Sequence, residues 1–298
     1  VSNRNRKAPS AITSPYTRRT FAKLSMAALA GVGFWPGWNR LNAAESSGKP
    51  DSKGAGVQLG LNVPYSFGNS KMSGDDILQH CVQLDVSAVE LRTQPVETFL
   101  GVPVNLFDTK KSKAGLEQLA RWRESVPMDR VAGFRKKYES AGVWIQIVKV
   151  DGIFNMTDGE LDYVFTLAKA LGGRAISTEI SHQEEELKRV GQFADKHQLM
   201  VGYHGHATTK PADWEKAFAL AKYNGANVDL GHFVAGNNVS PVPFIKQYHD
   251  RITHVHLKDR KLHNGPKPPF GEGDTPILEV LRLIRDNRLN IQVTIEFE

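Results

Sequence analysis

The chain has one cysteine, Cys81, in 298 residues. A single thiol closes no internal disulfide and builds no cysteine-rich zinc site, so any metal must be held by histidine and carboxylate side chains. No run of 18 or more apolar residues occurs, which excludes a membrane-spanning helix by length. A Gly-x-Gly-x-x-Gly turn after a strand is missing, as is a P-loop, and with them the usual signs of dinucleotide or nucleotide binding. Acidic residues are absent from positions 1–44, which hold seven basic ones: Arg4, Arg6, Lys7, Arg18, Arg19, Lys23 and Arg40. Removing those seven leaves 31 basic against 32 acidic residues in 45–298, although the whole chain carries a formal +6 and a pI near 9.3. The global charge is therefore no argument for a nucleic-acid partner.

What is present at the start has the layout of an export signal. Thr17 to Lys23 reads Thr-Arg-Arg-Thr-Phe-Ala-Lys, followed by an apolar stretch from Leu24 to Phe34, Pro36, and small residues at Ala43 and Ala44. The Arg18-Arg19 pair with Phe21 and Lys23 behind it resembles a twin-arginine signal. The expectation is an export leader over 1–44, a solvated linker over 45–56, a periplasmic or otherwise exported protein, and no stable membrane anchor. A content of 40% hydrophobic and 23% charged residues suits a globular domain and excludes disordered and fibrous classes.

From Val57 onward, short β-rich runs alternate with helical stretches. Strands are expected over 57–63, 86–92, 143–149, 174–180, 199–205, 226–231, 251–257 and 291–297. Ser73 with Asp76 opens a helix over 73–84, and Thr157 with Glu160 forms a capping box for 157–171. Further helices are expected near 128–141, 183–197, 211–224, 242–249 and 275–288, with 93–127 (Phe99, Phe107, Trp122) as a long cover over the site. Eight strands alternating with helices imply parallel βαβ units in a closed (β/α)8 TIM barrel over 57–298, with a doubly wound open sheet as the alternative. The chain stops after the eighth strand, so the final helix is expected to be lacking and the face between the first and last helices to be apolar.

In such a barrel the active site forms at the C-terminal ends of the strands. Those ends carry Glu90 and Arg92, Lys149 and Asp151, Glu179, His204 and His206, Asp229 and His232, His254, His256 and Lys258, and finally Glu296 and Glu298. Of ten histidines, five fall on three strand ends. Residues i and i+2 of a strand share a face, so His204 with His206, and His254 with His256 and Lys258, are expected to point the same way. Imidazoles and carboxylates converging from different strands suit one divalent ion acting as a Lewis acid. A lone strand-end histidine is more often a hydrogen-bonded support than a ligand, and Glu90 with Arg92 also reads as a structural ion pair at the barrel mouth.

The succession Val-Glu-Leu-Arg, Tyr-His-Gly-His, Val-Asp-Leu-Gly-His, His-Val-His-Leu-Lys-Asp, Gly-Glu-Gly-Asp-Thr-Pro-Ile and Ile-Glu-Phe-Glu resembles the xylose-isomerase-like barrels of the sugar phosphate isomerase/epimerase superfamily. The resemblance covers 57–298. It implies one divalent ion (Mn, Zn, Mg or Co) on His206, Asp229, His256 and Glu296, with Glu179 and Glu296 moving a proton beside a sugar carbonyl. Lys258 would meet the developing oxyanion, and Glu90, Arg92, Lys149, His204, His232 and His254 would line the substrate position. The fifth strand departs from the pattern: Tyr203-His204-Gly205-His206 stands where many epimerases have a ligating glutamate, and is similar to a Tyr-His-Asn-His variant. Either Glu179 or His204 then completes the ligand set. The implied activity is a metal-dependent sugar isomerase or epimerase, or a lyase on a keto-sugar, with a small carbohydrate as partner and no nucleic acid. The alternatives are a non-catalytic sugar-binding barrel lined by Tyr65, Phe67, Trp144, Phe154, Tyr203 and Phe233, and an abasic-site endonuclease. The latter needs more metal ligands and a basic groove.

Overall fold

The computed structural model describes residues 48–107 and 112–296. The expected leader at 1–44, the first residues of the linker and Glu298 lie outside the described residues. Eight parallel strands form the barrel: β1 (Val57–Val63), β2 (Ala88–Arg92), β3 (Trp144–Lys149), β4 (Ala175–Glu179), β5 (Met200–His204), β6 (Asn224–Asp229), β7 (Ile252–Leu257) and β8 (Gln292–Ile295). Pairing of β1 with β8, Leu59 opposite Val293 and Leu61 opposite Ile295, closes the cylinder. The open-sheet alternative is thereby excluded. Around the barrel run α1 (Gly74–Gln83), α2 (Thr93–Leu100), α3 (Lys113–Ser125), α4 (Val131–Ser140), α5 (Asp158–Ala170), α6 (Glu184–His197), α7 (Pro211–Leu220), α8 (Leu230–Asn237), α9 (Val242–Tyr248) and α10 (Ile277–Asp286). No helix among the described residues is long and apolar enough to cross a membrane.

The start signals act as expected. The Ser73 hydroxyl accepts the Asp76 N–H at 3.1 Å, and Thr157 and Glu160 satisfy each other's backbone N–H groups in a full capping box. Three expectations are corrected. Residues 50–54 are not a solvated linker: Ser52 is buried and donates to Leu59 O at 2.7 Å, and Lys53–Gly54 pairs antiparallel with the start of β1. The 93–127 segment, for which no elements were expected, contains α2 and α3. Arg123 clamps these two helices to α5 through Glu97 (2.8 Å) and Glu160 (2.9 Å), while Phe99 packs on Phe134 and Trp122 on Tyr163. The sixth strand ends at Asp229 rather than 231 because the Asp229 carboxylate caps α8, accepting the His232 N–H at 2.7 Å. The first and last helices carry the exposed apolar side chains Val82 and Leu278.

Candidate active site at the barrel mouth

Strand register decides which side chains meet. Glu179 lies beside His204, His204 beside Asn227, Asn227 beside His254, and Asp229 beside His256. One ligand atom from each of His204, Asp229, His256 and Glu296 falls within 4.8 Å of the others. The fifth-strand member of this quartet is thus His204 and not His206. The physical reason is a packing contact: β5 ends at His204, and a Cβ at the next residue, Gly205, would overlap the Trp214 ring. The chain turns there, leaving His204 buried and the His206 side chain 56% exposed above it, their rings edge to face at 4.9 Å.

The quartet has open valences. Asp229 spends Oδ1 on the α8 cap, while its buried Oδ2 makes no hydrogen bond, although the Lys258 ammonium stands 3.2 Å away. His256 Nδ1 is likewise buried without a hydrogen bond, 3.3 Å from Glu296 Oε2. Two imidazoles and two carboxylates within 4.8 Å of one another, two of them (Asp229 and His256) with a buried atom that makes no hydrogen bond, fit a divalent ion of the zinc or manganese kind. Lys258 bridges Asp229 and Glu296, 2.9 Å from the latter; burial opposes its charge, but the two carboxylates outweigh that and raise its pKa. Burial would also raise the Glu296 pKa, yet the neighbouring His256 and Lys258 hold it far below the usual carboxylate range. Asn62 donates to the other Glu296 oxygen at 3.1 Å. Burial keeps His204 well below the ordinary imidazole value.

Glu179 stands on the neighbouring strand, beside His204. Its two oxygens take Lys149 Nζ at 2.6 Å and His206 Nε2 at 2.8 Å. Burial would raise its pKa, but these two partners bring it to about 2, and the same contact with Glu179 raises that of His206. A carboxylate and an imidazole in direct contact can pass a proton between them.

The remaining expected substrate residues divide by depth. Glu90 and His254 are 0% exposed, so neither has surface to offer a substrate. Glu90 reaches across the barrel from β2 to β7, 2.6 Å from His256 Nε2 and 3.3 Å from His254 Nε2. Burial works against this charge, but the two imidazoles hold the Glu90 carboxyl well below its ordinary range. In return Glu90, with Glu296, overcomes burial and raises His256 to about 10. Arg92 lies at the rim, paired with Asp151 and over the Tyr65 ring at 5.5 Å. His232, pushed down to about 4 by burial, takes Arg260 Nη1 at 2.9 Å. Of the six aromatics expected to line a sugar-binding barrel, three lie elsewhere. Trp144 sits at the opposite end of the barrel beside a cavity of about 250 Å³, Phe233 stacks on Trp214, and Tyr203 turns its hydroxyl to Asn224. Sequence reasoning missed Asn227, whose amide lies 3.2 Å from His204 Nδ1 and 3.0 Å from His256 Nε2, and Asn62. The signal for Asn227 was its place two residues before Asp229, on the same face of β6.

No family model matches the chain. A stretch of 79 residues is 37% identical to inosose dehydratases from two strains of Clostridium botulinum; it covers 24% of this chain and 26% of the relatives, so the match spans about a quarter of their length. Among solved structures, a xylose isomerase domain protein from Planctomyces limnophilus superposes with a TM-score of 0.53 at 13% identity, over 81% of this chain and 88% of that one. A 3-keto-D-glucoside 4-epimerase from E. coli gives 0.54 at 12% identity, over 81% and 92%. At these identities the likeness is one of fold: the structural neighbours of this closed barrel are xylose isomerase-like TIM barrel proteins and epimerases.

Proposed function

We propose that this chain is a metal-dependent enzyme that moves a proton on the carbon beside a sugar carbonyl, as an isomerase, an epimerase or a lyase on a keto-sugar. The observation that carries the reading is the quartet of His204, Asp229, His256 and Glu296, with buried atoms that make no hydrogen bond, next to the lysine-held Glu179–His206 pair at one mouth. When bound, a divalent ion supplies Lewis acidity toward a carbonyl or hydroxyl oxygen of the substrate. The chain's own groups do the rest. Glu179 alone, at about 2, is a weak base, but with His206 it forms a dyad in which the imidazole takes the proton and the carboxylate holds the resulting imidazolium. Lys149 beside Glu179 and Lys258 beside Glu296 place positive charge at both edges of the site, where negative charge develops on oxygen. The inosose dehydratase stretch and the epimerase neighbour support a small carbohydrate as substrate. The near balance of charge in 45–298 offers no attraction for a nucleic acid.

Hydrogen exchange tests this without fixing on one sugar. Metal-loaded protein is incubated in D2O with a panel of ketoses, keto-glycosides and inososes, and proton NMR follows loss of signal at the carbon next to the carbonyl. Exchange that disappears on chelation and falls about 10²–10⁴-fold in Glu179→Gln supports the proposal. A metal-loaded protein that binds members of the panel but exchanges none of their protons would be a sugar-binding barrel, and the proposal would fail.

A further inference from the structure

Glu90 is a buried carboxylate on β2 that the chemistry above does not use, and it touches a member of the quartet from behind. We propose that Glu90 is a positioning residue that holds His256 as its Nε2–H tautomer and so turns the bare Nδ1 toward His204, Asp229 and Glu296. The inference rests on the metal reading of that quartet. An ionised carboxylate can only accept, so the 2.6 Å contact between Glu90 Oε2 and His256 Nε2 puts the hydrogen on Nε2. As a metal ligand the ring is neutral and has one lone pair, on Nδ1, which is the buried nitrogen without a hydrogen bond. The Asn227 amide, 3.0 Å from the same Nε2, meets that hydrogen with its oxygen end after a half-turn of the group.

The second imidazole beside Glu90 does not compete for it. The Thr253 hydroxyl donates its hydrogen to Ala226 O at 3.1 Å, so at 2.8 Å its oxygen accepts from His254 Nδ1. A neutral His254 therefore has a bare Nε2, which indeed makes no hydrogen bond at 3.3 Å from Glu90. Glu90 is left to act on His256. Such carboxylate–histidine pairs fix ligand orientation from outside the metal's own shell, and their loss costs about 10–100-fold in metal affinity.

The test is Co²⁺ titration of the metal-free wild-type chain, Glu90→Gln and Glu90→Ala, read by calorimetry and by visible absorption, with thermal unfolding of each apo form. The expected result is that Glu90→Ala binds Co²⁺ about 10–100-fold more weakly. Glu90→Gln should lose less, because its amide oxygen still accepts the Nε2–H. Equal affinity in all three proteins overturns the inference. So does Glu90→Gln binding as weakly as Glu90→Ala, since the charge and not the hydrogen bond would then be what matters. If Glu90→Ala does not fold, Glu90→Gln against wild type decides: a loss under 10-fold supports the role, and no loss overturns it. Wild-type protein that binds no Co²⁺ overturns instead the metal reading on which the inference stands.

Discussion

Glu179 shows how a half-exposed carboxylate can be set by its partners. Its side chain is 48% exposed, yet His206 and Lys149 outweigh burial and bring its pKa to about 2, against about 4.3 for an ordinary glutamate. A group depressed in the folded state contributes stability in full above the unfolded value, and that contribution is lost as pH falls through the folded one. The stability gap between wild type and Glu179→Gln should therefore be widest between about pH 5 and 6, shrinking toward pH 2 as Glu179 protonates and again as pH rises through the raised His206 value, by under about 1 kcal/mol given solvent screening. Urea unfolding at a series of pH values measures it, and a gap that does not change with pH would contradict the assignment. At this scale the residue types at the mouth were legible, because barrel topology alone puts strand-end side chains there. Their partners were not. Whether His204 or His206 joins Asp229 depends on the Trp214 ring packed over Gly205, and nothing local to Tyr203-His204-Gly205-His206 announces that contact.

The strands and helices were mostly readable from period and caps, and they diverge from expectation where a distant side chain intervenes. In 93–127, α3 is held by Arg123 reaching Glu97 and Glu160 on two other helices. The apolar run through Leu230 looked like strand, but the Asp229 cap converts it to helix. Inside β5, Gly202 is required by its neighbour: a Cβ there would overlap the Thr253 hydroxyl, which supports His254. Gly202→Ala should destabilise the fold by about 1–3 kcal/mol through overpacking, seen as a lower urea midpoint with an unchanged slope. An unchanged midpoint would mean that the contact of Gly202 with Thr253 yields more easily than its burial inside the barrel suggests.

For the molecule as a whole, closure of β1 on β8 is what makes one site out of eight separate strand ends. A ligand that ties β5, β6, β7 and β8 together through His204, Asp229, His256 and Glu296 binds only the closed barrel. Added Co²⁺ or Mn²⁺ should therefore raise Tm with concentration, by about 2.7 kcal/mol of stability at 100-fold above Kd, and Asp229→Asn should abolish most of that shift. A Tm indifferent to metal and to chelator would count against the quartet as a metal site. The order of amino acids is enough to set the alternation of strand and helix, hence the parallel barrel, and the crowding of histidine and carboxylate at one end of it. Both follow from local periodicity and from the rule that successive strands run the same way. The pairings came only with the folded barrel. Glu90 and His256 are 166 positions apart and meet across the lumen at 2.6 Å. Asn62 and Glu296 come from opposite ends of the barrel's strand order and touch because the barrel closes. Such contacts arise from register and closure, which distant residues set jointly and no single segment encodes.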